Sequence, residues 1–482
     1  MQLTGLLYIL LSAFYFVSFT DKVGSEYIAL SETALERRAK YNIPIDDLDW
    51  AVSAEYLDSI RRAGGKVAHT TRWINGATVE MDETLAEAVR HWSFVKSVEL
   101  TRPLDDPTLQ PSRKARWLST IPALSDEETL HPSEQQLGVY NLLPLHESGY
   151  TGQGIVVSVI DAGFPAIDTA ESYSLLRNES RLLGMYDYAH YTRAINDPVA
   201  NHGTSCLSAL TAQTADYHPS APGASYYLMR TEEWDTEYPK EADNWIAAVE
   251  CCDSLGVDIV STSLGYCMFD DPSLNISYES LDGKTHRSSR AALIAARKGM
   301  LVCVAAGNFG NDENWPYIDT PGDADSILTV GAIDVDSVRA NFSSIGPVAD
   351  GRIKPEVVAV GKHTCVVNTV DGKVRFANGT SFACPLIAGL AASLWSALPE
   401  ASAMEIRERI IRSAHQYDNP DNLIGYGIPN AQIALEMDIP SANPSIETDH
   451  RSPSSAAKII HSGNLYVLRD GGVYDLFGRR MY

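Results

Sequence analysis

The chain contains 482 residues, of which 45% are hydrophobic and 21% are charged, and its formal net charge is −24. This composition is globular rather than disordered or fibrous, and the length exceeds that of one ordinary core. The acidic balance argues against a nucleic-acid partner, because phosphate backbones are bound by cationic faces. We therefore expect one large folded domain with smaller attachments.

The first residues have the pattern of a secretory signal peptide. Residues 6–14 form an apolar run that suits the core of such a signal and is too short to span a membrane comfortably. The basic residues that normally precede this core are missing. We predict a signal peptide over residues 1–14, a secreted or cell-surface protein, and no transmembrane segment later in the chain.

Residues 15–105 alternate short strand and helix patterns. Their order is typical of a split βαβ sheet, so we expect a small α+β, ferredoxin-like domain. The predicted elements are a strand over 15–19, a helix over 53–60, two strands between Gly65 and Glu80, a helix capped by Asp82 and a strand over 94–100.

Residues 106–136 lack periodicity and are rich in proline. They also contain a basic cluster of Arg113, Lys114 and Arg116. Segments of this kind are linkers, and exposed linkers are places where proteases cut. We predict a linker and processing region here, although surface charge alone also explains such a cluster.

Residues 137–437 alternate apolar, β-branched runs with helical patterns. Such runs are typical of strands buried on both faces, and functional residues gather at the carboxyl ends of these strands. We therefore predict an α/β domain with a mostly parallel central sheet and helices on both faces. The runs span residues 155–160, 257–261, 300–304 and 327–331.

The end of the chain reads as a linker followed by a short tail. Residues 438–458 are rich in proline and serine. Two strand-like segments follow, at residues 463–468 and 473–480, and they predict a β-hairpin within residues 459–482.

Three polar residues stand where chemistry is expected. Asp161 ends the first apolar run, whereas His202 and Ser381 each precede a helix-like run of small residues. Taken singly, each has an ordinary explanation, since Asp and Gly-Thr-Ser are common in turns and a lone histidine is usually packed or solvated. Together, in this order, they indicate a nucleophilic serine with its base and an orienting carboxylate.

The segments around these three residues resemble the subtilisin (subtilase) family of serine peptidases over roughly residues 149–427. The resemblance implies that Ser381 is the nucleophile, His202 the general base, and Asp161 the carboxylate that orients the imidazole. It also implies an endopeptidase that hydrolyses polypeptides through an acyl-enzyme and needs no cofactor.

Two further segments resemble the substrate site of this family. One would form the pocket for the residue before the cut and end in Asn308, which would donate to the oxyanion. The other would pair with an extended peptide, and because backbone pairing demands little of the peptide sequence, broad specificity would follow. The implied substrate-binding residues are Ser263, Leu264, Gly265, Ala305, Ala306 and Gly307.

A catalytically silent relative that binds peptides or serves at a surface is the alternative. Nothing in the sequence favours it, because none of the four positions is substituted. Covalent labelling of the serine separates the two hypotheses.

The flanking regions extend the resemblance. By position and element order, residues 15–105 resemble the family's propeptide, which acts as an intramolecular inhibitor; a purely structural domain is the alternative. Residues 228–232 and 341–347 resemble exported subtilases of Bacteroidetes-type bacteria. The tail is similar to the opening of the sorting domain read by that group's type IX secretion machinery, and an ordinary surface hairpin is the alternative.

The seven cysteines show neither a disulfide framework nor zinc-ligand spacing. We expect most of the cysteines to be buried thiols, and their number also allows one or two disulfides. Cys206 and Cys384 follow His202 and Ser381 by about one helical turn, so we expect a mercurial to inhibit the enzyme if these thiols are free.

No metal site is predicted. Structural calcium is frequent in the family, but the acidic residues of this chain form no recognisable calcium loop. The candidate ligands are Asp312, Asp319, Asp323 and Asp325.

Overall fold

The computed structural model describes residues 12–103, 133–189, 194–198, 200–369 and 371–439, together with the backbone of three strands between residues 457 and 474. Most of the predicted signal peptide and nearly all of both predicted linkers, including the basic cluster, lie outside the described residues.

The N-terminal domain is a four-stranded antiparallel sheet with three helices, which confirms the predicted α+β arrangement. Its elements are β1 (Ala13–Phe19), α1 (Glu32–Lys40), α2 (Ala54–Arg62), β2 (Lys66–Thr71), β3 (Gly76–Met81), α3 (Glu83–Arg90) and β4 (Val95–Arg102). The strand order is β2-β3-β1-β4. Asp82 caps α3 as predicted, since its side chain accepts a hydrogen bond from the amide of Leu85 at 2.8 Å. The first strand begins at Ala13, two residues before the predicted start of the domain.

Helix α1 was not predicted. Its arginines are buried in ion pairs: Arg37 with Asp253 at 2.8 Å, and Arg38 with Asp253 at 2.6 Å and with Asp49 at 2.9 Å. A helix whose buried face carries arginines shows no apolar periodicity. Because Asp253 belongs to the second domain, the apolar pattern does not reveal this helix, and its local signals are the N-cap Ser31 and the basic residues of its last turn.

The second domain is built on a seven-stranded parallel sheet with helices on both faces, which confirms the predicted fold class. The strands are β5 (Val156–Asp161), β6 (Leu182–Asp187), β7 (Ser225–Arg230), β8 (Ile259–Thr262), β9 (Leu301–Ala305), β10 (Leu328–Ile333) and β11 (Val357–Val360), in the order β11-β10-β9-β8-β5-β7-β6. A separate antiparallel pair is formed by β12 (Thr364–Val367) and β13 (Val374–Ala377). The helices are α4 (Ser133–Gly138), α5 (Leu143–Glu147), α6 (Ser174–Asn178), α7 (His202–Thr211), α8 (Pro239–Leu255), α9 (Arg287–Arg297), α10 (Thr380–Ala397), α11 (Ala403–Arg412) and α12 (Ala431–Glu436).

Helix α10 is the central helix of this core. Its first sixteen residues are all buried, and its small side chains let it lie close to the sheet. Among the described residues it is the one helix that is long and apolar enough to cross a membrane, but 89% of that window is buried inside the domain. The apolar character of α10 is therefore explained by its place in the core.

The tail forms a three-stranded antiparallel meander. Strands β15 (Asn464–Arg469) and β16 (Gly472–Tyr474) lie in the segments that predicted the hairpin, and β14 (Ala457–His461) adds a strand beside β15.

The sheet of the N-terminal domain packs against α8. The turn between β2 and β3 surrounds the carboxylate of Glu250, which accepts hydrogen bonds from the Thr71 hydroxyl at 2.8 Å and from the backbone amides of Arg72 and Trp73 at 3.2 and 3.1 Å. On the neighbouring helix α9, Arg287 pairs with Glu99 of β4. The N-terminal domain is thus held on the second domain by several buried charged groups.

Candidate active site

Asp161 is the last residue of β5, at the carboxyl end of the central sheet. Its side chain is fully buried, and its Oδ1 accepts hydrogen bonds from the backbone amide of Ala162 and from Nδ1 of His202, both at 2.7 Å. A carboxylate that accepts a hydrogen bond from Nδ1 fixes the imidazole and leaves Nε2 as the nitrogen that can accept a proton. This pair has the geometry of an oriented general base.

His202 is the first residue of α7 and is 7% exposed. The glycine that follows lets this helix begin against the end of β5. A Cβ at Gly203 would lie 2.5 Å from the carbonyl oxygen of Gly163 and 2.8 Å from Cβ of Asp161. The His-Gly sequence is therefore a packing requirement as well as a motif.

Ser381 is the second residue of α10, at the positive end of the helix dipole. Its hydroxyl donates to the carbonyl of Ser263 at 3.3 Å, and the Ser263 hydroxyl donates to the carbonyl of Ser381 at 2.7 Å. These bonds hold the start of α10 against the segment after β8. The Ser381 hydroxyl thus points to Ser263 rather than to His202, and hydrogen bonds between catalytic groups are often long or misaligned before substrate binds.

Asn308 follows β9 and reaches across to the start of α10. Its Oδ1 accepts hydrogen bonds from the backbone amide of Thr380 at 2.7 Å and from the Thr380 hydroxyl at 3.0 Å. Because the amide is held through its oxygen, its Nδ2 donor can serve the pocket next to the backbone N–H of Ser381. Two donors at one point are the arrangement that stabilises a developing oxyanion.

One pocket brings most of the predicted residues together. Two predicted residues do not line it. Asp161 is fully buried and reaches the site through its hydrogen bond to His202. Ala306 is fully buried in a cluster with Ile318 and Val348, because alternation along the extended segment turns its side chain away from the pocket. The predicted residues that line the pocket are His202, Ser263, Leu264, Gly265, Ala305, Gly307, Asn308 and Ser381.

The structure adds an acidic residue that sequence reasoning noted only as a candidate calcium ligand. Asp319 lines the same pocket and is 4% exposed. Burial raises the pKa of its carboxyl to about 7. Its role was not visible from the sequence, because it depends on where the loop before β10 packs.

The other candidate calcium ligands make separate local contacts. Asp323 accepts from Ser289 and from the backbone amide of Gly283, whereas Asp312 and Asp325 accept from amides within their own turns. Within the described ranges they do not converge on one point.

All seven cysteines lie in the described residues, and no disulfide forms among them. Cys206 lies 3.8 Å from Nδ1 of His202 and 3.4 Å from the carbonyl of Ser381, so it contacts the catalytic region as its spacing predicts. Burial raises the pKa of the Cys384 thiol to about 12. Both sulfurs are therefore protonated, packed groups, and inhibition by a mercurial stays a prediction.

A parallel sheet that carries an oriented histidine and a serine at a helix start defines the class of serine endopeptidases of α/β architecture. The family model described as "Subtilase family" matches residues 152–427, and the chain belongs to this family. A second model, described as a peptidase S8 propeptide domain of Bacteroidota, matches residues 14–116. The N-terminal domain is thus a propeptide domain.

Relatives of known name agree with this assignment. The chain is 28% identical over 319 residues to serine protease AprX of Bacillus subtilis (strain 168), an alignment that covers 59% of this chain and 67% of the relative. It is 25% identical over 397 residues to subtilisin NAT of Bacillus subtilis subsp. natto, covering 80% and 87%. The crystal structure of MycP1 from the ESX-1 type VII secretion system matches with a TM-score of 0.52 at 19% identity, covers 66% of this chain and 90% of its own, and shows the fold alone.

Proposed function

We propose that the chain is an exported endopeptidase, made as a precursor, in which Ser381, His202 and Asp161 form the catalytic triad. The observation that carries this proposal is the hydrogen bond of 2.7 Å between Asp161 and His202, because His202 lines the same pocket as Ser381. The same arrangement recurs on unrelated folds in which a serine acts as a nucleophile.

In the first half of the reaction, Oγ of Ser381 attacks the carbonyl carbon of the peptide bond while Nε2 of His202 takes the hydroxyl proton. The oxyanion receives hydrogen bonds from the backbone N–H of Ser381 and from Nδ2 of Asn308. Collapse of this intermediate breaks the C–N bond, and His202 returns the proton to the leaving amine. The product is an acyl ester on Ser381.

In the second half, water attacks the ester carbon and gives its proton to His202. The bond between the carbon and Oγ breaks, the carboxylic product leaves, and the proton returns to Ser381. Asp161 keeps its charge throughout and stabilises the imidazolium that forms in each half.

Regulation by the propeptide is the second part of the proposal. Its sheet rests on α8 and α9 through charged groups, and the pair between Arg72 and Glu250 is buried at the interface. Breaking a buried ion pair costs about 3–5 kcal/mol, so this domain would remain bound until the linker after β4 is cut. The propeptide would act as a temporary intramolecular inhibitor.

The test compares the wild-type chain with Ser381→Ala, His202→Ala and the control Ser205→Ala, a serine of α7 whose hydroxyl donates to the carbonyl of Asn201. We expect wild type and the control to process themselves and to react with a fluorophosphonate at Ser381. Both active-site variants should accumulate as precursor, with turnover of a peptide substrate reduced about 10⁶-fold, as in subtilisin.

Absence of labelling in a processed, folded wild-type sample would favour the silent peptide-binding alternative. Normal processing of Ser381→Ala would instead show that another protease matures the chain.

Export is proposed from the predicted signal peptide, and targeting by type IX secretion machinery from the tail. The support for the second is the match to a propeptide domain of Bacteroidota and the meander β14–β16. Removal of residues 459–482 is expected to retain the enzyme in the cell, as measured by immunoblots of medium and cell fractions of a Bacteroidota host. Unchanged secretion would identify the tail as an ordinary surface element.

A further inference from the structure

The substrate pocket contains a carboxylate that the reaction does not use. Oδ1 of Asp319 is buried and has no hydrogen-bond partner among the residues the structure describes. Its Oδ2 lies against the two glycines of the pocket walls, since an added Cβ would be 2.6 Å from this oxygen at Gly307 and 3.0 Å at Gly265. Asp319 thus lies against two glycines of the pocket that Ser381 also lines.

The carboxylates that line the pocket are not balanced by basic side chains. Glu232 and Glu237 also line it, and the lining residues described include neither lysine nor arginine. The groups that favour ionisation of Asp319 are the neutral Cys267 thiol and Trp315 indole. An ionised carboxylate buried without a cation is costly, so a cation brought by a ligand would be strongly favoured here.

The walls suit a long side chain with an aliphatic stem. Leu264 and Ala305 offer apolar contact in the lining, and a side chain at either glycine would collide with Asp319. Lysine and arginine place methylene groups on apolar surfaces while their charged ends reach a polar partner. An aromatic or aliphatic side chain would fill the same space and leave Asp319 without a partner.

We propose that this pocket selects substrates with lysine or arginine immediately before the cut, and that Asp319 is the residue that sets this preference. The ammonium or guanidinium would donate to the carboxylate of Asp319 as a charge-assisted hydrogen bond. This inference rests on the proposed function, because it takes the pocket to hold the residue whose carbonyl Ser381 attacks. It narrows the broad specificity expected from backbone pairing alone.

The proposal also bears on maturation. Within the predicted processing region 106–136, the basic residues are Arg113, Lys114 and Arg116. An enzyme of this specificity that matures itself would cut after one of these three residues.

The experiment uses protein expressed from the full chain, with active sites counted by fluorophosphonate titration. The substrates are fluorogenic peptides that differ only in the residue before the cut: Arg, Lys, Leu, Phe or Glu. We expect kcat/KM for Arg and Lys to exceed that for Leu by about 10²-fold or more. Asp319→Asn should lower the Arg and Lys values about 10²–10³-fold and leave the Leu value within a few-fold.

The control is Asp325→Asn, which removes an exposed carboxylate from the same loop and should change none of the five values. If Asp319→Asn does not fold, Asp319→Ser is measured in the same way, and if neither folds, the wild-type ranking decides.

A wild-type enzyme that prefers Leu or Phe would overturn this proposal and leave the proposed function intact, as would an equal loss on all five peptides in Asp319→Asn. A wild-type chain that titrates no active site would overturn the proposed function itself. Terminal sequencing of the matured protein adds a second readout, because a new N-terminus that does not follow Arg or Lys contradicts self-cleavage at the basic cluster.

Discussion

Two carboxylates, Asp161 and Asp319, lie buried in the same region of the molecule and differ in the partners that the chain gives them. Asp161 is fully buried, and its Oδ1 accepts hydrogen bonds from His202 and from the amide of Ala162. Asp319 is 4% exposed and pairs with no cation in the described part of the chain. Oδ2 of Asp161 and Oδ1 of Asp319 both lack a hydrogen-bond partner among the described residues, so the difference is that the chain gives Asp161 a histidine and gives Asp319 no basic residue.

The difference follows from what each group must do. A catalytic group must be oriented before the substrate arrives, because reorganisation during the reaction would add to the barrier. A group that selects substrates gains most when its partner is missing in the free enzyme, since a substrate without that partner leaves it unpaired. We therefore expect substitutions at Asp161 to lower the reaction rate for every substrate, and substitutions at Asp319 to change the preference among substrates.

The largest effect is expected for Asp161→Asn. The amide cannot hold the imidazole in the required tautomer, so kcat should fall about 10⁴-fold. Measured with the Arg and Leu peptides, the loss should be the same for both. Asp168→Asn, which alters an exposed side chain seven residues later, is the matched control and should have no effect. A loss confined to one peptide would remove the distinction between the two carboxylates.

The sequence predicted the proposed catalytic role of Asp161, but it did not predict the proposed role of Asp319 in substrate selection. Asp161, His202 and Ser381 could be predicted because each is next to a strand-like or helix-like run that the local sequence reveals. Asp319 could not, since its meaning depends on Gly265 and Gly307, which come from two other segments of the chain.

The same reason explains the other differences. Helix α1 is stabilised by ion pairs to Asp253, which is more than two hundred residues away in sequence. Ala306 was assigned to the pocket with its neighbours, but the alternation of side chains places it in the core. Strands and helices with a periodic pattern of apolar residues could be predicted from the sequence. Features that depend on contacts with residues distant in sequence could not.

A smaller, equally general loss is expected for Asn308→Ala. Removal of one oxyanion donor should lower kcat about 10²–10³-fold for both peptides, with little change in KM. The figure comes from the corresponding asparagine of subtilisin. Asn314→Ala in the exposed loop that follows is the control and should retain full activity. A change that raised KM alone would place Asn308 in substrate binding rather than in stabilising the oxyanion.

The smallest effect is expected from pH in the wild-type enzyme. Below a pKa of about 7 the carboxyl of Asp319 is neutral and offers no charge to an Arg side chain. The ratio of kcat/KM for Arg to that for Leu should therefore rise about tenfold from pH 6 to pH 8. The pH dependence of the chemistry is common to both peptides, so it cancels in this ratio.

Other titratable groups face the same pocket, and the Asp319→Asn variant separates their effect. Glu232, Glu237 and His202 line it, and burial raises the pKa of the neighbouring Cys267 thiol, which stays neutral over this range. Any slope that persists in Asp319→Asn belongs to these groups. A flat ratio that favours Arg from pH 6 to pH 8 would mean that Asp319 is already ionised at pH 6. Its charge would then be stabilised by the chain itself, and the contrast with Asp161 would fail.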